Sequence, residues 1–143
     1  MVPDFEATDQ DGRPVALSGL LENGPVVLFF YPKAMTMGCT QESCHFRDLA
    51  AEFEEAGAQR VGISADDVDR QKEFDDKHGL GYPLLSDPDR DVAKIFGVKR
   101  PGPLGNKRHT FVIDTDRTLL ASIRSETNMA KHADDALEAL GSR

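Results

Sequence analysis

The chain has few cysteines. Cys39 and Cys44 are the only two in 143 residues, too few for a disulfide framework. It is short of positive charge: 17 Lys and Arg against 25 Asp and Glu leave a net charge of −8 at pH 7. That argues against nucleic acid or an anionic membrane as the main partner. No apolar run approaches a membrane span; the longest, Val26 to Phe30, has the length of a buried strand. The opening Met1-Val2-Pro3-Asp4-Phe5 lacks a basic n-region and an apolar h-region. This predicts no signal peptide and a cytoplasmic location, with a processed form of a longer precursor left open. There is no glycine-rich phosphate loop, nucleotide fingerprint, internal repeat or low-complexity stretch, so no cofactor is expected. Hydrophobic content of 39% and charged content of 29% suit a globular chain, expected as one domain over residues 1–143.

What is present reads as strands alternating with helices. Asp11-Gly12 signals a hairpin between extended pieces near Phe5 and at Val15 to Leu17. Ser18 to Asn23 suits a short helical turn closed by Gly24. Pro25 to Tyr31 reads as a central strand buried on both faces. A loop follows from Pro32 to Gly38. Phe46, Leu49, Ala50, Phe53 and Ala56 recur at helical spacing and predict a helix over Thr40 to Ala56. Arg60 to Ser64 is a second strand. Ser64 with Asp67 resembles a capping box for a polar helix ending near His78. Pro83 to Leu85 is extended, and Asp89 to Phe96 a short helix. Lys99 to Lys107 carries turn signals at Pro101-Gly102, Pro103 and Gly105 and reads as a loop. Thr110 to Asp114 and Leu119 to Ile123 form a strand pair, and Met129 to Leu140 a closing amphipathic helix with Met129 and Leu137 in the core. The sum is an α/β fold with a mixed sheet.

The two cysteines lie five residues apart at the start of the first long helix. That is too long for a Cys-x-x-Cys dithiol and too short for a staple across a fold. On a helix Cys39 falls within roughly 20° of Phe46, on the core-facing stripe. Cys44 falls roughly 140° from Cys39, with the sulfur-bearing residues separated by roughly 7.5 Å along the axis. Their Cα atoms would be about 8–9 Å apart, beyond the roughly 7 Å that a disulfide tolerates. Bonding between them therefore requires the helix to unwind. The plain alternatives are a small buried hydrophobe at Cys39 and an incidental thiol at Cys44. Zinc held by Cys39, Cys44 and His45 lacks a fourth ligand at a recognisable spacing. His45, His78, His109 and His132 show no mutual ligand spacing and read as surface or strand-end polarity.

The segment Pro32-x-x-x-Thr36-x-x-Cys39 resembles the peroxiredoxin active-site signature. The longer stretch Phe29 to Asp48, including Gly38-Cys39-Thr40-Gln41-Glu42-Ser43-Cys44, is similar to the peroxiredoxin Q subfamily, also called bacterioferritin comigratory protein. Pro3-Asp4-Phe5, Asp11-Gly12, Pro83 to Asp87 and Arg108 to Asp114 extend the likeness over nearly the whole chain. The resemblance implies a thioredoxin-like fold, with a central mixed sheet flanked by helices, and a thiol-dependent peroxidase. It places Cys39 as the peroxidatic cysteine and Cys44 as the resolving one. It gives Thr36 the hydroxyl that contacts thiolate and peroxide, has Pro32 shield the pocket and makes Arg108 the cation. It implies a peroxide substrate, a thioredoxin or similar dithiol protein as reductant, and a monomer or weak dimer.

The residue types suit that chemistry in their own right. Thiolate is the nucleophile, and a helix N-terminus with a nearby cation favours it. Backbone N–H groups at Gly38 and Cys39, with Arg108, can meet charge on the leaving oxygen. Glu42 either orients Arg108 or favours the helix start through the dipole. Arg47 is either a second pocket cation or a solvated charge. Two positions depart from the subfamily pattern: Ala34 stands where it has Asp, and Met37 where it has Pro. Two other readings stay open, a thiol–disulfide oxidoreductase and a peroxide-sensing thiol switch. Against the first, Lys107-Arg108-His109 lacks the proline that thioredoxin-type proteins carry before that strand.

Overall fold

The computed structural model describes residues 2–101 and 105–141. The expected turn signals at Gly102 and Pro103 lie outside them. The chain order is β1 (Glu6–Thr8), β2 (Pro14–Ala16), α1 (Leu17–Leu21), β3 (Val26–Phe30), α2 (Met37–Asp48), α3 (Ala50–Glu55) and β4 (Gln59–Ser64), followed by α4 (Val68–His78), β5 (Leu84–Ser86), α5 (Asp91–Phe96), β6 (His109–Ile113), β7 (Leu119–Arg124) and α6 (Met129–Gly141). The strands make one mixed sheet in the order β2-β1-β5-β4-β3-β6-β7. β3 runs parallel to β4 and antiparallel to β6. The α/β reading with a mixed sheet holds, and this is a thioredoxin-like fold.

β3 has no exposed residue, as its unbroken apolar run demands. Alternation sends its side chains into two cores. Val26, Leu28 and Phe30 join Leu17, Ile63, Val92 and Phe111 on one face. Val27 and Phe29, with Tyr31 beyond the strand, join Phe46, Phe53, Phe74 and Ala136 on the other. Phe29 lies opposite Gly62 of β4. A Cβ at Gly62 would sit 3.0 Å from the Phe29 ring and 2.9 Å from Leu84, so glycine makes room for that ring. Phe29 then stacks on Phe46 of α2 at 4.2 Å between centroids. This stack presses α2 onto the sheet, and Cys39 shares the Phe46 stripe.

Four local expectations need correction. The helix expected over Thr40 to Ala56 begins at Met37 and breaks at Leu49 (φ −97°, ψ 21°). The Phe46 carbonyl, which the Ala50 N–H would take in an unbroken helix, accepts from Arg60 Nη1 at 2.9 Å. Ser64 is not the cap of α4: Asp67 accepts the Arg70 N–H at 2.8 Å, while Ser64 donates to Asp66. α5 starts at Asp91, because the Asp87 carboxylate takes the N–H groups of Val92 and Ala93. Leu17 ends no strand; it opens α1.

Candidate active site

The site forms where β3 hands over to α2. Beyond β3 the Tyr31 hydroxyl donates to Gln71 at 2.6 Å. The Ala34 N–H donates to Asp66 Oδ2 at 2.7 Å, and Ser64 donates to the same oxygen at 2.6 Å. Met35, directly after these anchors, has φ 69°, a left-handed conformation that a non-glycine residue adopts only when its surroundings impose it. Thr36 returns to extended backbone, and its carbonyl accepts from the Thr40 N–H at 2.9 Å. The N–H groups of Met37, Gly38 and Cys39 precede that bond, so no helical carbonyl takes them.

Cys39 is fully buried at this helix start. Arg108, which leads into β6, brings Nη2 to 3.4 Å from the Cys39 sulfur. Its Nη1 donates to Glu42 Oε1 at 2.8 Å, and its backbone N–H donates to Glu126 Oε2 at 2.9 Å. One guanidinium thus spans the thiol and a carboxyl one helical turn later. A Cβ at Gly38 would stand 3.1 Å from Arg108 Nη2 and 3.5 Å from the Met129 methyl. A larger residue there would push the guanidinium back by a few tenths of an ångström.

Glu42 has no exposed surface, and burial pushes its carboxyl up to about 8 against the pull of Arg108. Its second oxygen, Oε2, lies 3.5 Å from His132 Nδ1. His132 is fully buried, which corrects the expectation of a surface histidine. It lies on the inner face of α6 with Ala133, Ala136 and Leu140. Burial lowers its pKa below the ordinary histidine value.

Pro32 is half-buried against Gly105, where a Cβ would come within 2.7 Å of the Pro32 carbonyl oxygen. Thr36 is exposed, and its hydroxyl donates to the Lys33 carbonyl at 2.7 Å. Cys44 is half-buried later on α2, and both cysteines are free thiols. Arg47 faces away from the pocket, bonding the His78 carbonyl at 2.7 Å and Asp48 at 2.9 Å. His45 ties α2 to α6 through Asp134 at 2.9 Å. Met37 is 80% exposed at the mouth of the loop.

Residues 1–122 match the AhpC/TSA family. The chain belongs to the AhpC/TSA family of peroxiredoxins. Peroxiredoxins are thiol-dependent peroxidases, oxidoreductases that act on peroxide with a thiol reductant, and this chain is one of them. The structure of peroxidoxin BcpB from Mycobacterium tuberculosis is similar at 58% identity and TM-score 0.95, over 99% of this chain and 94% of that one. Bacterioferritin comigratory protein of Xanthomonas campestris, studied for its alkyl peroxide reduction activity, matches at 31% identity and TM-score 0.88, over 96% of this chain and 90% of that one. Chloroplastic peroxiredoxin Q of Sedum lineare is 40% identical over 98% of this chain and 75% of its own length. Among the described residues no helix is long and apolar enough to cross a membrane.

Three features of this peroxiredoxin's candidate site escape sequence reasoning. Asp66 anchors the loop at Ala34, Glu126 holds the Arg108 backbone, and His132 closes on Glu42. Only His132 carried a usable signal, since the spacing of Ala133, Ala136 and Leu140 puts it on the apolar face of its helix.

Proposed function

We propose that this chain, acting as one domain, reduces hydrogen peroxide and organic hydroperoxides through Cys39. The observation that carries the reading is the buried Cys39 sulfur 3.4 Å from Arg108 Nη2, at a helix start with unused N–H groups. The Cys39 thiolate attacks one peroxide oxygen and the O–O bond breaks. The sulfur is oxidised to sulfenic acid, and the second oxygen leaves as hydroxide or alkoxide and takes a proton to become water or alcohol. Charge grows on that leaving oxygen, where Arg108 and the N–H groups of Gly38 and Cys39 meet it. The Thr36 hydroxyl donates its hydrogen bond to the Lys33 carbonyl, which leaves its oxygen to accept from the bound peroxide. Pro32 shields the pocket and Glu42 orients Arg108.

The Cys44 thiol then displaces water from the sulfenic acid and forms the 39–44 disulfide. Both cysteines sit on α2, so its first turns must unwind. A thioredoxin-like dithiol protein returns both thiols by exchange. The proposed setting is the cytoplasm, and the proposed state a monomer. The alkyl peroxide activity of the Xanthomonas relative supports including organic hydroperoxides.

The test follows peroxide consumption with a thioredoxin system. Cys39→Ser should lose it entirely, and wild-type turnover in that variant would overturn the assignment. Peptide mapping of oxidised protein should find a 39–44 disulfide; its absence would remove the resolving role. Many turnovers per molecule separate an enzyme from a stoichiometric sensor.

A further inference from the structure

The peroxidase chemistry leaves His132 without a part, although the residue lies fully buried beside the site. Its Nε2 is 2.8 Å from the Ser125 carbonyl oxygen. A carbonyl only accepts, so Nε2 carries a hydrogen whether the ring is charged or neutral. Nδ1 is therefore the atom that gains or loses a proton. It stands 2.7 Å from Thr110 Oγ1 and 3.5 Å from Glu42 Oε2. The Thr110 hydroxyl can donate to a bare Nδ1 or accept from a protonated one.

Glu42 divides its two oxygens. Oε1 accepts from Arg108, and Oε2 is buried with no hydrogen-bond partner. An ionised Oε2 facing a bare Nδ1, whose single lone pair the Thr110 hydroxyl can meet, would be a buried charge with no donor, an unfavourable arrangement. One proton on either atom removes the conflict.

We propose that Glu42 Oε2 and His132 Nδ1 hold a single proton between them, and that His132 is a positioning residue that keeps Glu42 from cancelling the Arg108 charge at the Cys39 sulfur. With that proton in place the pair is neutral overall, and the guanidinium charge is directed at Cys39. Burial acts the same way on both partners, raising the carboxyl and lowering the imidazole, so neither favours its own charged form alone. The charged and titratable groups facing the pair are mixed. Arg108 and, from β6, His109 favour release of the proton; Glu126 and Asp135 favour its retention. Tyr82 faces Glu42, and Cys39 reaches the pair through Arg108.

Only the consequence at Cys39 rests on the peroxidase reading. The proton itself is tested with reduced protein carrying 15N-histidine and 13C-glutamate, followed by NMR from about pH 5 to about pH 9. Nε2 should stay protonated throughout. Nδ1 and the Glu42 carboxyl carbon should move together in one step above neutrality, and Glu42→Gln should abolish the Nδ1 step. A Glu42 carboxyl already ionised at about pH 6, beside an Nδ1 that stays a bare acceptor, would overturn the proposal.

The link to Cys39 is read from its alkylation rate in a Cys44→Ser background. His132→Leu leaves the Oε2 proton without an acceptor, a penalty on the neutral acid that works against the added apolar burial; on this proposal the penalty is the larger, so Glu42 ionises more readily and draws charge from Arg108. Alkylation at about pH 6 should slow roughly threefold, the effect of about half a pH unit. His132→Gln, which keeps a polar partner for Oε2 and carries the test if the leucine variant fails to fold, should recover most of the loss. Equal rates in wild type and both variants would sever the link. Neither measurement uses peroxide, so a failed peroxidase assay and a failed proton pair are separate results.

Discussion

The two faces of the sheet are built from the same strands and do different things. On one face β3, β4 and β6 pack Val26, Leu28, Phe30, Ile63, Phe111 and Ile113 against α1 and α5 with apolar contacts. On the other, under α2 and α6, the same strands and helices enclose Glu42, Arg108, Thr110 and His132 beside Cys39. Both faces stabilise by area removed from water. The second puts charged groups where water cannot reach them, an arrangement that contributes little net stability and is strongly destabilising when one partner is lost. It is held in shape by the aromatic stack of Phe29, Phe46 and Phe53. The contrast teaches that both apolar cores hold the sheet, and that the aromatic clamp on the second face carries charged groups that would be a poor core by themselves.

The largest expected effect falls on the apolar face. Phe30→Ala should cost about 3–5 kcal/mol of stability in urea unfolding, by lost burial plus a cavity. The Cys39 alkylation profile of the protein that remains folded should match wild type. A changed profile would break the separation of the two faces.

Next is Arg108→Ala on the polar face. It should lower the rate of peroxide reduction by about a hundredfold to a thousandfold, as removal of a donor aimed at a developing charge does. It also leaves Glu42 buried without its cation, so stability falls too. Stopped-flow peroxide kinetics and urea midpoints measure both losses. A rate equal to wild type would place the electrophilic group elsewhere.

The smallest effect is a pH dependence of stability. Unfolded, Glu42 titrates near 4.5 and His132 near 6.5. In the fold the carboxyl is pushed up to about 8 and the imidazole lowered. The raised acid contributes stability below its unfolded value and loses it as pH rises through its folded one. The lowered histidine contributes above its unfolded value and loses it as pH falls. Between 4.5 and 6.5 the two oppose each other. Between 6.5 and about 8 the folded pair keeps a proton that the unfolded chain has released, so stability falls as pH rises. For one proton the loss over that interval is about 2 kcal/mol. Urea midpoints across this range should show the slope in wild type and a flatter line in Glu42→Gln. Equal slopes would assign the dependence to other groups.

Much of the site was legible from local pattern. The Cys39 stripe follows from its spacing to Phe46, and the structure buries both on the same side of α2. The start of that helix was less so. Met37 and Gly38 look like loop residues, yet Asp66 holds Ala34 from 32 positions away and lets the helix begin early. Glu42 had two readings, and its 2.8 Å bond to Arg108 Nη1 is the contact that the orienting role would use. His132 was misread because residue type alone leaves histidine's burial undecided, whereas the periodicity of α6 placed it inward.

By itself the amino-acid sequence determined what repeats locally: the doubly buried β3, the core face of α2, and the order in which the two cysteines follow it. These depend on side-chain periodicity, which neighbours in the chain set. Only the tertiary structure decided the charge around Cys39. Arg108 comes from 69 positions away, Glu126 and His132 from the far side of β7, and the break at Leu49 from Arg60 on β4. Such contacts arise when strands and helices close on one another. Residue type and spacing do not encode which oxygen meets which nitrogen, or whether a proton must sit between them.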